Sequence, residues 1–149
     1  MIPRIRVFAK AGVEAVYGGG YDTDQMFYEI RDIDYYDKTI TVWGCHHKDC
    51  GMCDDTYKME DVEVMQYTGC RDKNSLEIFE GDYLSVIPFE SQNEFKGEVG
   101  FLKGSFCVVI RTEGYDYKVP LHELSDSNNV IEVLGNLYMN PELMDEMAE

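Results

Sequence analysis

Three cysteines and two histidines fall within one nine-residue stretch, Cys45-His46-His47-Lys48-Asp49-Cys50-Gly51-Met52-Cys53. Thiolate and imidazole are the ligands zinc prefers, and the two-residue gap between Cys50 and Cys53 lets both sulfurs close on one ion. Cys45 and His47 complete a four-ligand set, so zinc is the cofactor this segment would take. The arrangement also argues the other way. A structural zinc site ordinarily draws two ligands from each of two separated knuckles, and here all four come from one unless Cys70 contributes. The favoured reading is a polar hairpin loop that carries cysteines, so no cofactor is expected and zinc stands as the alternative. A dithiol redox role has less support, because no βαβ setting surrounds the Cys50–Cys53 pair.

Acid-base chemistry has a weaker footing. With 29 carboxylates in 149 residues, close pairs such as Glu80 with Asp82 or Asp54 with Asp55 follow from composition alone. His122 is the one histidine outside the cysteine-rich stretch. No serine-centred nucleophile motif accompanies it, and it reads as a surface residue on a helical turn. The Gly18-Gly19-Gly20 triplet lacks the spaced glycines and following Gly-Lys of a phosphate loop, so it reads as a flexible connection. No set of nucleophile, base and oxyanion donors assembles, and the expectation is a protein that is not an enzyme and has no catalytic residue.

The elements that must carry these residues are short. The chain is long enough to bury a core, and 44% of it is hydrophobic. A formal charge of −16 weighs against direct nucleic-acid binding. No apolar run is long enough to span a membrane, and the opening MIPRIRVFAK has none long enough for a secretory signal, so a cytoplasmic location is expected. Five cysteines, an odd number, do not form a complete disulfide framework.

Hydrophobic periodicity gives β-like runs at 5–8 and 13–17, then a hairpin in which Tyr28, Ile30, Ile33 and Tyr35 share a face through a bulge near Arg31 or Asp32. Asp37-Lys38 turns that chain into a partner strand ending at Trp43. Beyond residue 62 the pattern sharpens, and the acidity is concentrated there, with 6 basic against 17 acidic residues compared with 7 against 12 in residues 1–61. Strands are expected at 64–68, 78–79 and 82–87, the last closed by Pro88. Lys103-Gly104 separates two alternating runs as a hairpin that pairs Leu102 with Ser105, Phe101 with Phe106 and Val99 with Val108, the last two pairs facing a core. A short strand at 117–120, a helical turn at 121–124 and a final strand at 130–134 follow. This order suggests a small SH3-like barrel. Asn140 as N-cap and Pro141 at the first helical position predict a short C-terminal helix to about Met147. The expected fold is therefore mostly β, with a β-rich region over 1–61 and a barrel with its terminal helix over 62–149.

Four stretches in the second half carry a resemblance: Val64-Met65-Gln66-Tyr67-Thr68-Gly69, Asp72-Lys73-Asn74, Ile78-Phe79-Glu80-Gly81-Asp82, and Val133-Leu134-Gly135-Asn136-Leu137-Tyr138 leading into Asn140-Pro141-Glu142-Leu143. Over residues 62–143 this series resembles the YopX family of bacteriophage and prophage proteins. Its pattern places a glycine where this chain has Ser75. The resemblance implies a mostly β fold and a phage accessory origin, and it brings no catalytic motif. The residues of the block also have a plain structural reading, with Gly69, Gly81 and Gly135 at strand ends and Asp72, Asn74 and Asp82 capping turns.

Strong acidity and 11 tyrosines, among them Tyr115, Tyr117 and Tyr138 in expected loops, point to function by protein contact. The expected partner is a protein with a basic surface, or a second copy of the chain, and one form of this is mimicry of nucleic acid. Two alternatives stand beside it. One is a nucleic-acid-associated small barrel, which requires Arg4, Arg6, Lys10 and Arg31 to gather on one face. The other is a metal-dependent activity at the Cys/His segment.

Overall fold

The computed structural model describes residues 4–17, 22–43, 54–125 and 128–143. These form a mostly β protein of antiparallel sheets with one short α-helix. The chain divides into two compact units, residues 1–66 and 67–149.

In the first unit, β1 (Ile5–Ala9) lies between β2 (Gln25–Phe27) and the start of β6 (Val62–Arg71), with Val7 opposite Phe27 on one side and Val64 on the other. A second sheet has the order β3 (Ile30–Asp34), β4 (Thr39–Trp43), β5 (Asp54–Lys58). The register between β3 and β4 slips between Ile30 and Asp32, which places the expected bulge at Arg31. That extra residue turns both Ile30 and Ile33 toward the core. Tyr28 and Tyr35, expected on the same face, lie beyond the ends of β3 and are exposed. The core gathers Ile5, Val7, Phe27, Ile40, Val42 and Tyr57. Residues 13–17 form no regular strand. They cover the free edge of β5 instead, where Tyr17 and Thr56 bridge and Val16 donates its amide to the Thr56 carbonyl.

Neither β2 nor β5 is predicted by the apolar pattern. The β5 sequence Asp-Asp-Thr-Tyr-Lys has one apolar side chain, and its alternation is hidden because the residue that shares the buried face with Tyr57 is Asp55. A 3-10 turn over Met59–Asp61 leads into β6.

The second unit begins within β6, whose residues from Tyr67 onward pair with β7 (Glu77–Phe79). Gly69 lies inside this strand, at an irregularity of its register, and not at a strand end as the sequence suggests. A five-stranded antiparallel sheet, curled as a half barrel, follows the order β11, β10, β9, β8, β12. Its members are β8 (Asp82–Ile87), β9 (Phe95–Leu102), β10 (Ser105–Arg111), β11 (Asp116–Pro120) and β12 (Val130–Asn136). The helix α1 (Leu121–Ser125) connects β11 to β12 and buries Leu121 and Leu124 against Leu84, Val86, Val99 and Val108.

The β9–β10 hairpin has the expected register, Leu102 to Ser105, Phe101 to Phe106 and Val99 to Val108. Lys103 and Gly104 have φ of 51° and 85°, the pair of left-handed residues that a two-residue type I′ turn demands. Val99 and Val108 are buried, but Phe101 beside the turn remains 45% exposed and stacks at a tilt on Phe106, ring centroids 5.0 Å apart. The C-terminal helix is seen only at its start. Pro141 lies in the turn that opens it, Glu142 and Leu143 are helical, the Leu143 amide donates to the Asn140 carbonyl at 3.0 Å, and the expected residues beyond 143 lie outside those described. No helix among the described residues is long and apolar enough to cross a membrane.

Candidate functional site

Asp72 organises the turn after β6. One carboxylate oxygen, Oδ1, accepts from the amides of Asn74 (2.8 Å) and Leu76 (2.9 Å), while Oδ2 accepts from the Val133 amide (3.0 Å) in β12. The Lys73 amide donates to the Ile131 carbonyl at 2.8 Å, and the Lys73 ammonium pairs with Glu132 at 3.1 Å. The tight turn therefore seals the outer edge of β12. Ser75 completes it with φ 66°, the left-handed conformation that a glycine adopts without cost.

A second knot joins β8 to the end of β12. Asp82 is buried and its Oδ2 accepts from the Phe79 amide (2.8 Å), while its Oδ1 takes a long bond from Asn136 Nδ2 (3.5 Å). Asn136 Oδ1 in turn accepts from the amides of Tyr138 (2.9 Å) and Met139 (3.3 Å). Asn140 folds back toward this knot, with its side-chain oxygen receiving the Asn136 amide (3.1 Å). Its side chain thus serves the strand end, while its backbone carbonyl opens the helical turn. A Cβ at Gly135 would lie 2.7 Å from Asn140 Oδ1 and 2.9 Å from Leu143 Cδ1, so any larger residue there requires those two side chains to shift. Asp72, Asp82, Gly135, Asn136 and Asn140 all hold backbone together, and that is their visible chemistry.

Cys45, His47, Cys50 and Cys53 fall between β4 and β5 and lie outside the described residues, as does His46. Among the described residues no three potential metal ligands cluster. Cys70 sits in β6, where its thiol donates to Ser125 Oγ at 3.5 Å, and Cys107 is buried in β10. His122 is exposed on α1. Of the two carboxylate pairs, Asp54 is exposed and 3.7 Å from Arg31, Asp55 is buried, and Asp82 serves the knot above. The basic residues considered for a nucleic-acid face are dispersed in role: Arg6 is buried, with Nε 3.4 Å from Met65 Sδ, and Arg31 is paired with Glu29 and Asp54.

Exposed tyrosines form the clearest surface features. At the tip of the β3–β4 hairpin, Tyr35 and Tyr36 are 79% and 94% exposed, with Asp34 and Asp37 on either side. Asp34 Oδ1 accepts from the Tyr36 amide (2.9 Å) and the Asp37 amide (3.0 Å), an Asx turn that fixes the loop backbone, and Lys38 follows at φ 54°. The doublet next to the Asp37-Lys38 turn is the available sequence signal, but strand periodicity places Tyr35 on one strand face with Tyr28, Ile30 and Ile33. The other cluster is at β11, where Tyr115 and Tyr117 pack with ring centroids 4.7 Å apart and share a hydrogen bond between hydroxyls. That bond holds the Tyr117 phenol above the ordinary tyrosine value. Tyr117 thus lies in the strand expected over 117–120, and Tyr115 just precedes that strand. Nearby, Arg111 chelates Glu98, and the carboxylate strengthens its hold on its proton.

No curated protein matches this chain. Among solved structures, the crystal structure of protein EF1440 from Enterococcus faecalis is similar, at 19% identity and a TM-score of 0.47, covering 97% of this chain and 99% of that one. The family model described as YopX protein matches residues 20–145, beginning well before the motif-bearing stretches at 62–143. The match takes in most of both units, and the chain belongs to the phage-associated YopX family.

Proposed function

We propose that the protein is a non-enzymatic phage accessory factor that acts by contact with a protein presenting a basic surface. The Tyr35–Tyr36 tip carries this reading. Two adjacent tyrosines project from a loop whose backbone is already fixed by Asp34, so binding them orders little that was free. Tyrosine supplies large amphipathic area and is enriched at the energetic centres of interfaces. Asp32, Asp34 and Asp37 surround the pair with negative charge, which steers a basic partner toward it and makes the association salt-sensitive.

The use of carboxylates elsewhere supports the non-enzymatic part. Asp72 and Asp82, the two aspartates of the family block, spend their oxygens on backbone amides and on the Asn136 side chain. The strand order supports an SH3-like barrel in the second unit. Strands β8 to β11 form a meander, a helical turn follows, and β12 returns beside β8, which is the connectivity of such barrels. These small folds host many functions, so the assignment rests on the surface and not on the fold.

The test is a pull-down with the full chain at low and high salt, run in parallel with a Tyr35→Ala/Tyr36→Ala variant. A basic protein should be retained at about 0.05 M salt and released at about 0.5 M, and the variant should fail to retain it. Equal recovery by the variant would remove the tip from the reading, and recovery of no protein at low salt would count against contact as the function.

A further inference from the structure

The two edges of the five-stranded sheet are finished differently. The β12 edge is sealed by the Asp72 turn through Lys73 N to Ile131 O and Val133 N to Asp72 Oδ2. The β11 edge, among the described residues, has no backbone partner on its outer side. An unpaired edge is a template for another strand, and its side chains decide which strand fits.

The order Tyr115-Asp116-Tyr117-Lys118-Val119 is complementary to itself when reversed. In an antiparallel pairing with the two-fold at Tyr117, Asp116 lies opposite Lys118 of the second copy, and Lys118 opposite its Asp116. Tyr117 meets its equivalent, and Tyr115 meets Val119. The faces also agree. Val119 sits opposite Val108 and packs on the core, and Tyr117, two residues away, shares that face, while Asp116 and Lys118 share the other. A two-fold at Lys118 would instead set lysine against lysine and Asp116 against Pro120, so charge selects one register. Tyr115 and Tyr117 are 61% and 48% exposed in the single chain and are available for this contact.

We propose that β11 is a self-complementary edge through which two copies of this chain pair into one continuous sheet. The contact is isologous and closes at two copies. It goes beyond the Tyr35–Tyr36 reading and does not use that tip, so the two can fail separately. Salt separates them as well. Each copy carries −16, so screening strengthens self-pairing while it weakens attachment to a basic partner.

Sedimentation velocity of the full chain over about 1–100 µM, at about 0.15 M and about 0.5 M salt, reads this directly. The wild type should show a dimer that tightens at the higher salt. At the lower salt, Asp116→Lys should weaken it roughly tenfold or more, by setting two lysines against two lysines. Asp116 also lies 3.9 Å from Arg111, so the opposite change, Lys118→Asp, serves as a second variant free of that contact and should weaken pairing to a similar extent. The double exchange Asp116→Lys/Lys118→Asp restores both opposite-charge pairs and should restore the dimer. A wild type that stays monomeric throughout, or a dimer that Lys118→Asp leaves unchanged, overturns the proposal.

Discussion

At Ser75 the backbone takes the left-handed conformation with a side chain attached, where the family pattern places a glycine. The three amides gathered by Asp72 hold it there. Relieving the strain with Ser75→Gly should raise the unfolding free energy by about 1 kcal/mol, read as a higher urea midpoint at unchanged slope. Asp72→Ala leaves those amides without their acceptor and should cost about 3 kcal/mol in the same assay. Tyr117 supplies a pH-dependent counterpart. Its hydroxyl shares a hydrogen bond with that of Tyr115, which raises its folded-state pKa above the unfolded value. The contribution is therefore complete below about pH 10 and disappears as pH climbs through the raised value. Ultraviolet titration of Tyr115→Phe beside the wild type should show Tyr117 ionising at lower pH in the variant. Sequence alone identified Asp72, Asp82 and Gly81 as turn-shaping residues, because small residues at turns act locally, while Gly69 falls inside β6 instead. It could not show that Asp72 reaches Val133, sixty-one residues away, since that bond depends on how the strands are brought together.

The β9–β10 hairpin was legible down to its register because alternation and a turn signal agree within thirteen residues. Its weak point is also visible. Lys103 occupies a left-handed position of a type I′ turn that favours asparagine, so Lys103→Asn should stabilise the protein by about 0.5–1 kcal/mol, measurable as an increase of a few degrees in Tm. Gly135→Ala tests the knot at the end of β12. The added methyl would push on Asn140 and Leu143, and a loss of about 1–3 kcal/mol is expected in thermal or urea unfolding. Elements were illegible where a buried position is polar. Asp55 breaks the apolar alternation of β5, and three-residue β2 is too short for any period to register. Tyr35 shows the opposite error, in which a residue that fits the strand pattern lies past the strand end.

Over the whole molecule, excess negative charge opposes compaction in both units. Added sodium chloride up to about 0.5 M should therefore raise the melting temperature of the isolated protein, apart from any change in association, when followed at low concentration by circular dichroism. The sequence divides a less patterned first part from a well-patterned second part at residue 61, and a boundary set by pattern is not the same as one set by packing, which falls after Gln66. Strand β6 makes the difference plain, since residues 62–66 pair with β1 in the first unit and residues from 67 onward pair with β7 in the second. The two units share that one strand. A gene exchange with its crossover inside codons 62–71 would join half a strand from one parent to half from another, and the pairings with β1 and β7 would both have to accept the hybrid at once. Crossovers on either side of that segment leave the strand intact, so inheritance of β6 as a single block is the constraint this architecture places on recombination.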